Sequence, residues 1–102
     1  MIFQTQSVAE NEGNDAAAWY DEHQAGLGED FLAQVQRAYA SIRSNPISLP
    51  RLEYYSGEHE VRRCLMHQFP YLVIYVCRPD ETVVVAIAHT RRKPLYWLDR
   101  LN

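Results

Sequence analysis

Long apolar runs are missing from this chain. None approaches the roughly 18–20 residues that a membrane-spanning helix requires, so no membrane association is expected. The opening Met1-Ile2-Phe3-Gln4-Thr5 lacks the basic segment and apolar core of a secretory leader, and a cytoplasmic protein is expected. Cysteine is scarce. Cys64 and Cys77 are the two present, and neither sits in a Cys/His spacing that would hold zinc. Both fall in strand-like segments and are expected to be free buried thiols, which behave as small hydrophobes. A disulfide is not expected in a reducing compartment. No metal and no cofactor is called for. Internal repeats and low-complexity tracts are also absent, which excludes solenoids and disordered tails.

What remains is the composition of one small globular domain spanning 1–102, with 47% hydrophobic and 23% charged residues. A chain of this size buries roughly 60–65% of its unfolded surface, enough for one core. The net charge of −3 conceals an imbalance. Residues 1–50 set seven acids against Arg37 and Arg43, whereas residues 51–102 set eight bases against six acids. The second half can therefore offer a local surface for an anionic partner.

Hydrophobic periodicity divides the chain into six main elements. Ile2–Gln6 reads as a first strand. Ser7 and Glu10 form a Ser-x-x-Glu capping box, which starts a helix from about Val8 to about Glu22. Ala25-Gly26-Leu27-Gly28 reads as a turn in which each glycine supplies positive φ. Phe31, Val35, Ala38 and Ile42 then recur at helical spacing, with Leu32 and Tyr39 widening the stripe, until Asn45-Pro46 stops the helix. Pro46 to about Glu60 is polar and reads as a loop. Three strands follow at about Glu60–Met66, Tyr71–Cys77 and Thr82–His89, with the short separations of an antiparallel meander. Thr82–Ala88 is apolar at nearly every position, as a central strand covered on both faces would be. A short helix or turn is expected after Pro94. The fold class is α+β, in the order β-α-α-β-β-β, with a helical hairpin on one face of a mainly antiparallel sheet.

The turn at His67–Pro70 predicts that Arg62 pairs with Tyr75 and Cys64 with Val73. Alternation then puts Arg62, Cys64, Met66, Tyr71, Val73 and Tyr75 on one face and Val61, Arg63, Leu65, Leu72, Ile74 and Val76 on the other. The second set is the more aliphatic, so it is expected under the helices, leaving the Arg62 face accessible. His89, Arg91 and Arg92 at the end of the last strand would lean over that face. An arginine pair with a histidine suits phosphate binding and proton transfer. The same residues also suit plainer roles: a strand-end hydrogen bond for His89, solvation for Arg91–Lys93, and packing on the sheet edge for Tyr96 and Trp97.

Taken together, several segments resemble the RelE/ParE family of toxins. Ala17-Ala18-Trp19-Tyr20 followed by Gly26-Leu27-Gly28-Glu29-Asp30-Phe31-Leu32 is similar to that family's helical hairpin. Val61-Arg62-Arg63, Phe69-Pro70-Tyr71 and Tyr75 look like its middle strands. Ala88-His89-x-Arg91-Arg92-x-Pro94-x-x-Trp97 looks like its C-terminal pattern.

The resemblance implies a microbial-RNase-like fold and a type II toxin–antitoxin role. The cognate antitoxin would be encoded alongside, lay a helix in an apolar groove containing Trp19, Tyr20, Leu32 and Tyr39, and form a heterotetramer or higher complex. It leaves two targets open. A ParE-like member would inhibit DNA gyrase without nuclease chemistry, as the His-x-Arg-Arg segment suggests. A RelE-like member would cut messenger RNA on the ribosome, with Arg62, His89 and Arg91 as its catalytic set. In either case Arg62, Tyr75, His89, Arg91, Arg92 and Trp97 are expected to contact the target or its phosphates. Trp97 stands near where nuclease members keep a tyrosine, and indole cannot act as a general acid. That departure favours the gyrase target.

Overall fold

The computed structural model describes residues 2–101. Strand β1 (Ile2–Thr5) leads into helix α1 (Ser7–His23) and helix α2 (Leu27–Ser44). Strands β2 (Glu60–Leu65), β3 (Tyr71–Cys77) and β4 (Glu81–His89) follow, and a single 3-10 turn covers Leu98–Arg100. The sheet order is β1-β4-β3-β2. The meander is antiparallel, and β1 joins it parallel to β4. This is the α+β order expected. The first strand and the last two meander strands match their expected ranges within a residue or so.

Local chemistry departs from the sequence expectations at two points. No side chain caps α1 among the described residues. The helix begins at Ser7 itself, with Gln6 as extended N-cap, so the Ser7–Glu10 box does not form. Gln6 instead sends its amide to the Arg100 carbonyl, 2.8 Å away. Of the two turn glycines, Gly26 alone takes positive φ (91°). Gly28 lies inside α2, where a Cβ would stand 2.6 Å from the Ala17 carbonyl oxygen. It is glycine because two helices touch there. Gly13 follows the same logic inside α1, with Ile87 Cδ1 3.0 Å from where its Cβ would be.

The register of β2 on β3 is as predicted: Arg62 faces Tyr75, Cys64 faces Val73 and Leu65 faces Leu72. The two faces are exchanged. Cys64, Met66, Val73 and Tyr75 pack beneath Phe31, Val35, Ala38 and Ile42 of α2 and the alanines of α1. Val61, Ile74 and Val76 face away from the helices, with Val83 and Val85 of β4. That aliphatic face is not open. Leu52 from the 45–59 connection and Trp97 and Leu101 from the C-terminal segment close over it. The aliphatic character was therefore no guide to which layer lay on top, because both faces are covered. The mixed face can lie under helices because its polar tips run past them. The Tyr75 hydroxyl donates to the Pro46 carbonyl at 2.6 Å, and Arg62 reaches the Leu49 carbonyl, also at 2.6 Å.

Strand β4 is covered on both faces along its middle, as its apolar run predicts. A bulge interrupts its pairing with β3. Ile74 pairs with Ala86 and Tyr75 with Val84, so Val85 is the extra residue. On its other side β4 is paired by β1 only from Glu81 to Val84. Among the described residues no strand neighbours its outer edge from Val85 to His89.

Candidate functional site

Side chains satisfy the part of β4 that β1 leaves uncovered. Glu12 projects from α1, and its Oε1 accepts from the Ile87 amide at 3.1 Å. Arg100 Nη1 donates to the Val85 carbonyl at 3.0 Å. The two are locked together: Arg100 Nη1 and Nη2 donate to Glu12 Oε1 and Oε2 at 3.0 and 3.1 Å, a bidentate pair. The Tyr96 hydroxyl donates to Glu12 Oε2 at 2.7 Å. The Glu12 side chain is only 14% exposed, so this pairing is required: a buried carboxylate without partners would cost several kcal/mol. Burial, reinforced by the Glu12 bond and charge, pushes the Tyr96 hydroxyl well above the ordinary tyrosine range, so it acts as a neutral donor. Burial works against the charge on Arg100, but the Glu12 bonds outweigh it and raise its pKa. The sequence reading placed Tyr96 on the sheet edge but missed Glu12, Arg100 and the bonds that join the three. Residues 84 or more positions apart in the chain give no local signal of contact.

This clasp holds the C-terminal segment against the sheet and sets the exposure of the expected target residues. Trp97 is 1% exposed and packs with Tyr55 over the aliphatic face. It is a core residue and cannot reach a target, which corrects its expected role. The cleft between the segment and the sheet, lined by Tyr54, Leu72, His89 and Trp97, measures about 10 Å³, room for a water at most. Tyr75 is likewise fully buried. Burial pushes its hydroxyl far above the tyrosine range, and neighbouring Cys77 adds to this. The Arg62 side chain is 13% exposed, with Nε donating to Glu60 Oε2 at 2.7 Å and Nη1 to the Leu49 carbonyl. Arg62 and Tyr75 thus share a face as predicted, but that face is sealed. Moreover, Tyr75 lies four positions along β3 from Tyr71, the partner of His89, which puts Arg62 roughly 13 Å along the sheet and two strands across from His89. Arg62, His89 and Arg91 do not converge on one reacting centre.

His89, Arg91, Arg92 and Lys93 do remain together at the end of β4, half-buried or exposed. The His89 ring accepts from the Arg91 amide through Nδ1 at 3.0 Å, which shapes the turn. It also meets Tyr71 edge-on, with ring centroids 5.2 Å apart. Tyr71 contacts Tyr20, and Tyr20 contacts Trp19, with centroids 6.3 and 5.1 Å apart. Trp19 is 54% exposed and stacks on His23 at 3.9 Å. The Arg92 guanidinium lies 3.9 Å over the Tyr96 ring and 3.9 Å from Glu12. The result is a surface corner of three cations beside His89, joined through Tyr71 and Tyr20 to the exposed Trp19–His23 stack on α1. It can hold an acidic or anionic partner by charge and stacking. Among the described residues no group of His, Cys, Asp and Glu could hold a metal ion.

The expected groove residues separate into two places. Leu32 and Tyr39 line a depression of about 360 Å³ between the helices, with Glu10, Gly13 and Gln36. Leu32 also borders the next depression along the hairpin, beside Ala17, Asp21 and Gly28. Trp19 and Tyr20 lie elsewhere. Trp19 follows Asn14, which lines the groove, by five residues, which turns it about 140° round α1. Tyr20 is packed between Phe31, Phe69 and Tyr71. Of the four expected groove residues, Leu32 and Tyr39 share one depression, whereas Tyr20 packs toward the sheet and Trp19 stacks on His23.

The paired helices, the sheet covered on both faces and the exposed basic corner form one α+β domain. The family model for the "ParE toxin of type II toxin-antitoxin system, parDE" matches residues 7–94, and the chain belongs to that family. It is a toxin of the type II toxin–antitoxin class. Among solved structures it is similar to a chain of the "Chromosomal ParDE TA system from P. aeruginosa", at 15% identity and a TM-score of 0.67. The match covers 87% of this chain and 95% of that one and concerns the fold. A comparison with curated protein sequences gives no significant match. No helix among the described residues is long and apolar enough to cross a membrane.

Proposed function

We propose that this toxin arrests growth by binding DNA gyrase in the cytoplasm, and that a cognate antitoxin neutralises it. Membership of the ParE family supports the target class. The observation that carries the reading is the division of the arginines. Arg62 is consumed inside the fold, whereas Arg91, Arg92 and Lys93 stay exposed beside His89. A binding inhibitor needs only such a surface, while a nuclease needs acid and base groups within hydrogen-bond reach of one phosphate. The target contact is therefore assigned to His89, Arg91, Arg92 and Trp19. The antitoxin helix lies in the groove over Leu32 and Tyr39, and toxin–antitoxin pairs build a heterotetramer or larger complex.

The test is a gyrase supercoiling assay with purified toxin. Inhibition that is relieved by antitoxin, and weakened at least tenfold by Arg91→Ala with Arg92→Ala, is the expected result. Unchanged supercoiling at saturating toxin rejects the gyrase target. Toxin-dependent cuts in translated messages would move the target to the ribosome.

A further inference from the structure

Among the described residues Glu12 has more side-chain and backbone partners than any other acid, and they divide by exposure. Arg100 is bound at two short distances, is only 16% exposed, and also holds the Val85 carbonyl. It is an anchor. Arg92 is 54% exposed and stands 3.9 Å from the same carboxylate, resting on the ring of Tyr96. Tyr96 is itself fixed by its hydroxyl bond to Glu12. A guanidinium held by one face against a ring keeps its donors free at the edge.

We propose that Glu12 is the positioning residue of the target-binding corner. Through Tyr96 and Arg100 it fixes the C-terminal segment, and it thereby presents Arg92 to an acidic patch on the target. This rests on the reading of that corner as the target contact. The arrangement suits reversible engagement. When Arg92 swings to a partner, Glu12 keeps Arg100, Tyr96 and the Ile87 amide, so no buried charge is left unpaired. The corner is thus held by an acid on α1 although every residue that touches the target through charge lies near the C-terminus.

A double-mutant cycle between Glu12 and Arg92 tests this, read as the toxin dose that arrests growth and as gyrase inhibition. Glu12→Gln retains an acceptor for the Ile87 amide but loses the charge. It is expected to weaken the toxin about tenfold, and Arg92→Ala about tenfold. The pair together is expected to weaken it about tenfold as well, because Glu12 acts through Arg92. Antitoxin binding, on the other flank of α1, stays within about twofold. Should Glu12→Gln not fold, Tyr96→Phe replaces it in the same cycle, since it deletes the hydroxyl bond and keeps the ring under Arg92. A double mutant weakened about a hundredfold, the product of independent effects, overturns the proposal. So does a Glu12 or Tyr96 variant of full potency. If the parent toxin arrests growth without inhibiting gyrase, the gyrase target falls, and the cycle is decided on growth arrest alone.

Discussion

Single atoms decide which residues this fold can exchange. At Gly28 a methyl group would meet the Ala17 carbonyl oxygen at 2.6 Å and Asp21 Cβ at 3.0 Å. Neither belongs to a flexible side-chain end, so Gly28→Ala should cost about 1–3 kcal/mol by forcing the helices apart. At Gly13 the obstacle is the tip of Ile87, which can rotate, and alanine gains about 1 kcal/mol of helix propensity, so the change there should be close to neutral. Urea denaturation of the two variants would separate them. Tyr75→Phe removes the bond to the Pro46 carbonyl and should lower stability by about 1 kcal/mol in the same measurement, without touching growth arrest in fully folded toxin. Residue-scale chemistry of this kind was only partly visible in the sequence. The Arg62–Tyr75 pairing followed from a short turn and alternation. That Tyr75 would be sealed and Arg62 consumed by Leu49 and Glu60 depended on a connection with no periodicity to read.

At the scale of elements, what was legible is what repeats. The α2 stripe of Phe31, Val35, Ala38 and Ile42 is the buried side of that helix, and the three meander strands lie where alternation and turn residues placed them. Segments without a repeat were read correctly as a loop and a short terminal turn, but that they seal the second sheet face was not legible. The 45–59 connection and the C-terminal tail supply Leu52, Trp97 and Leu101 to the second half of the core. Trp97→Ala should therefore cost about 3–5 kcal/mol, seen as loss of the cooperative urea transition, and any loss of toxicity would follow from unfolding. The groove of α1 and α2 gives the opposite case. Leu32 is 41% exposed, so Leu32→Glu should leave stability within about 0.5 kcal/mol. It should also reduce antitoxin affinity at least tenfold in a titration, while gyrase inhibition persists.

For the whole molecule, tyrosine burial sets the alkaline limit. Tyr75 and Tyr96 have hydroxyl pKa values raised chiefly by burial, as do Tyr39 and Tyr71. An unfolded chain ionises its tyrosines near pH 10, whereas the folded chain holds these protonated. The unfolded state then binds fewer protons, so the stability these groups contribute is present below about pH 10 and is lost as pH rises above it. Circular dichroism followed with tyrosinate absorbance should show ionisation and unfolding in one step. Early ionisation of Tyr75 and Tyr96 in a folded chain would contradict the burial. The same global view makes sense of β1. Because it stops at Thr5, the most apolar strand of the domain would present bare amides and carbonyls from Val85 onward, an invitation to pair with a second copy. Glu12 and Arg100 occupy two of those groups, the Ile87 amide and the Val85 carbonyl. With those two groups taken, the half of the sheet edge beyond Thr5 is a poorer template for strand pairing with a second copy.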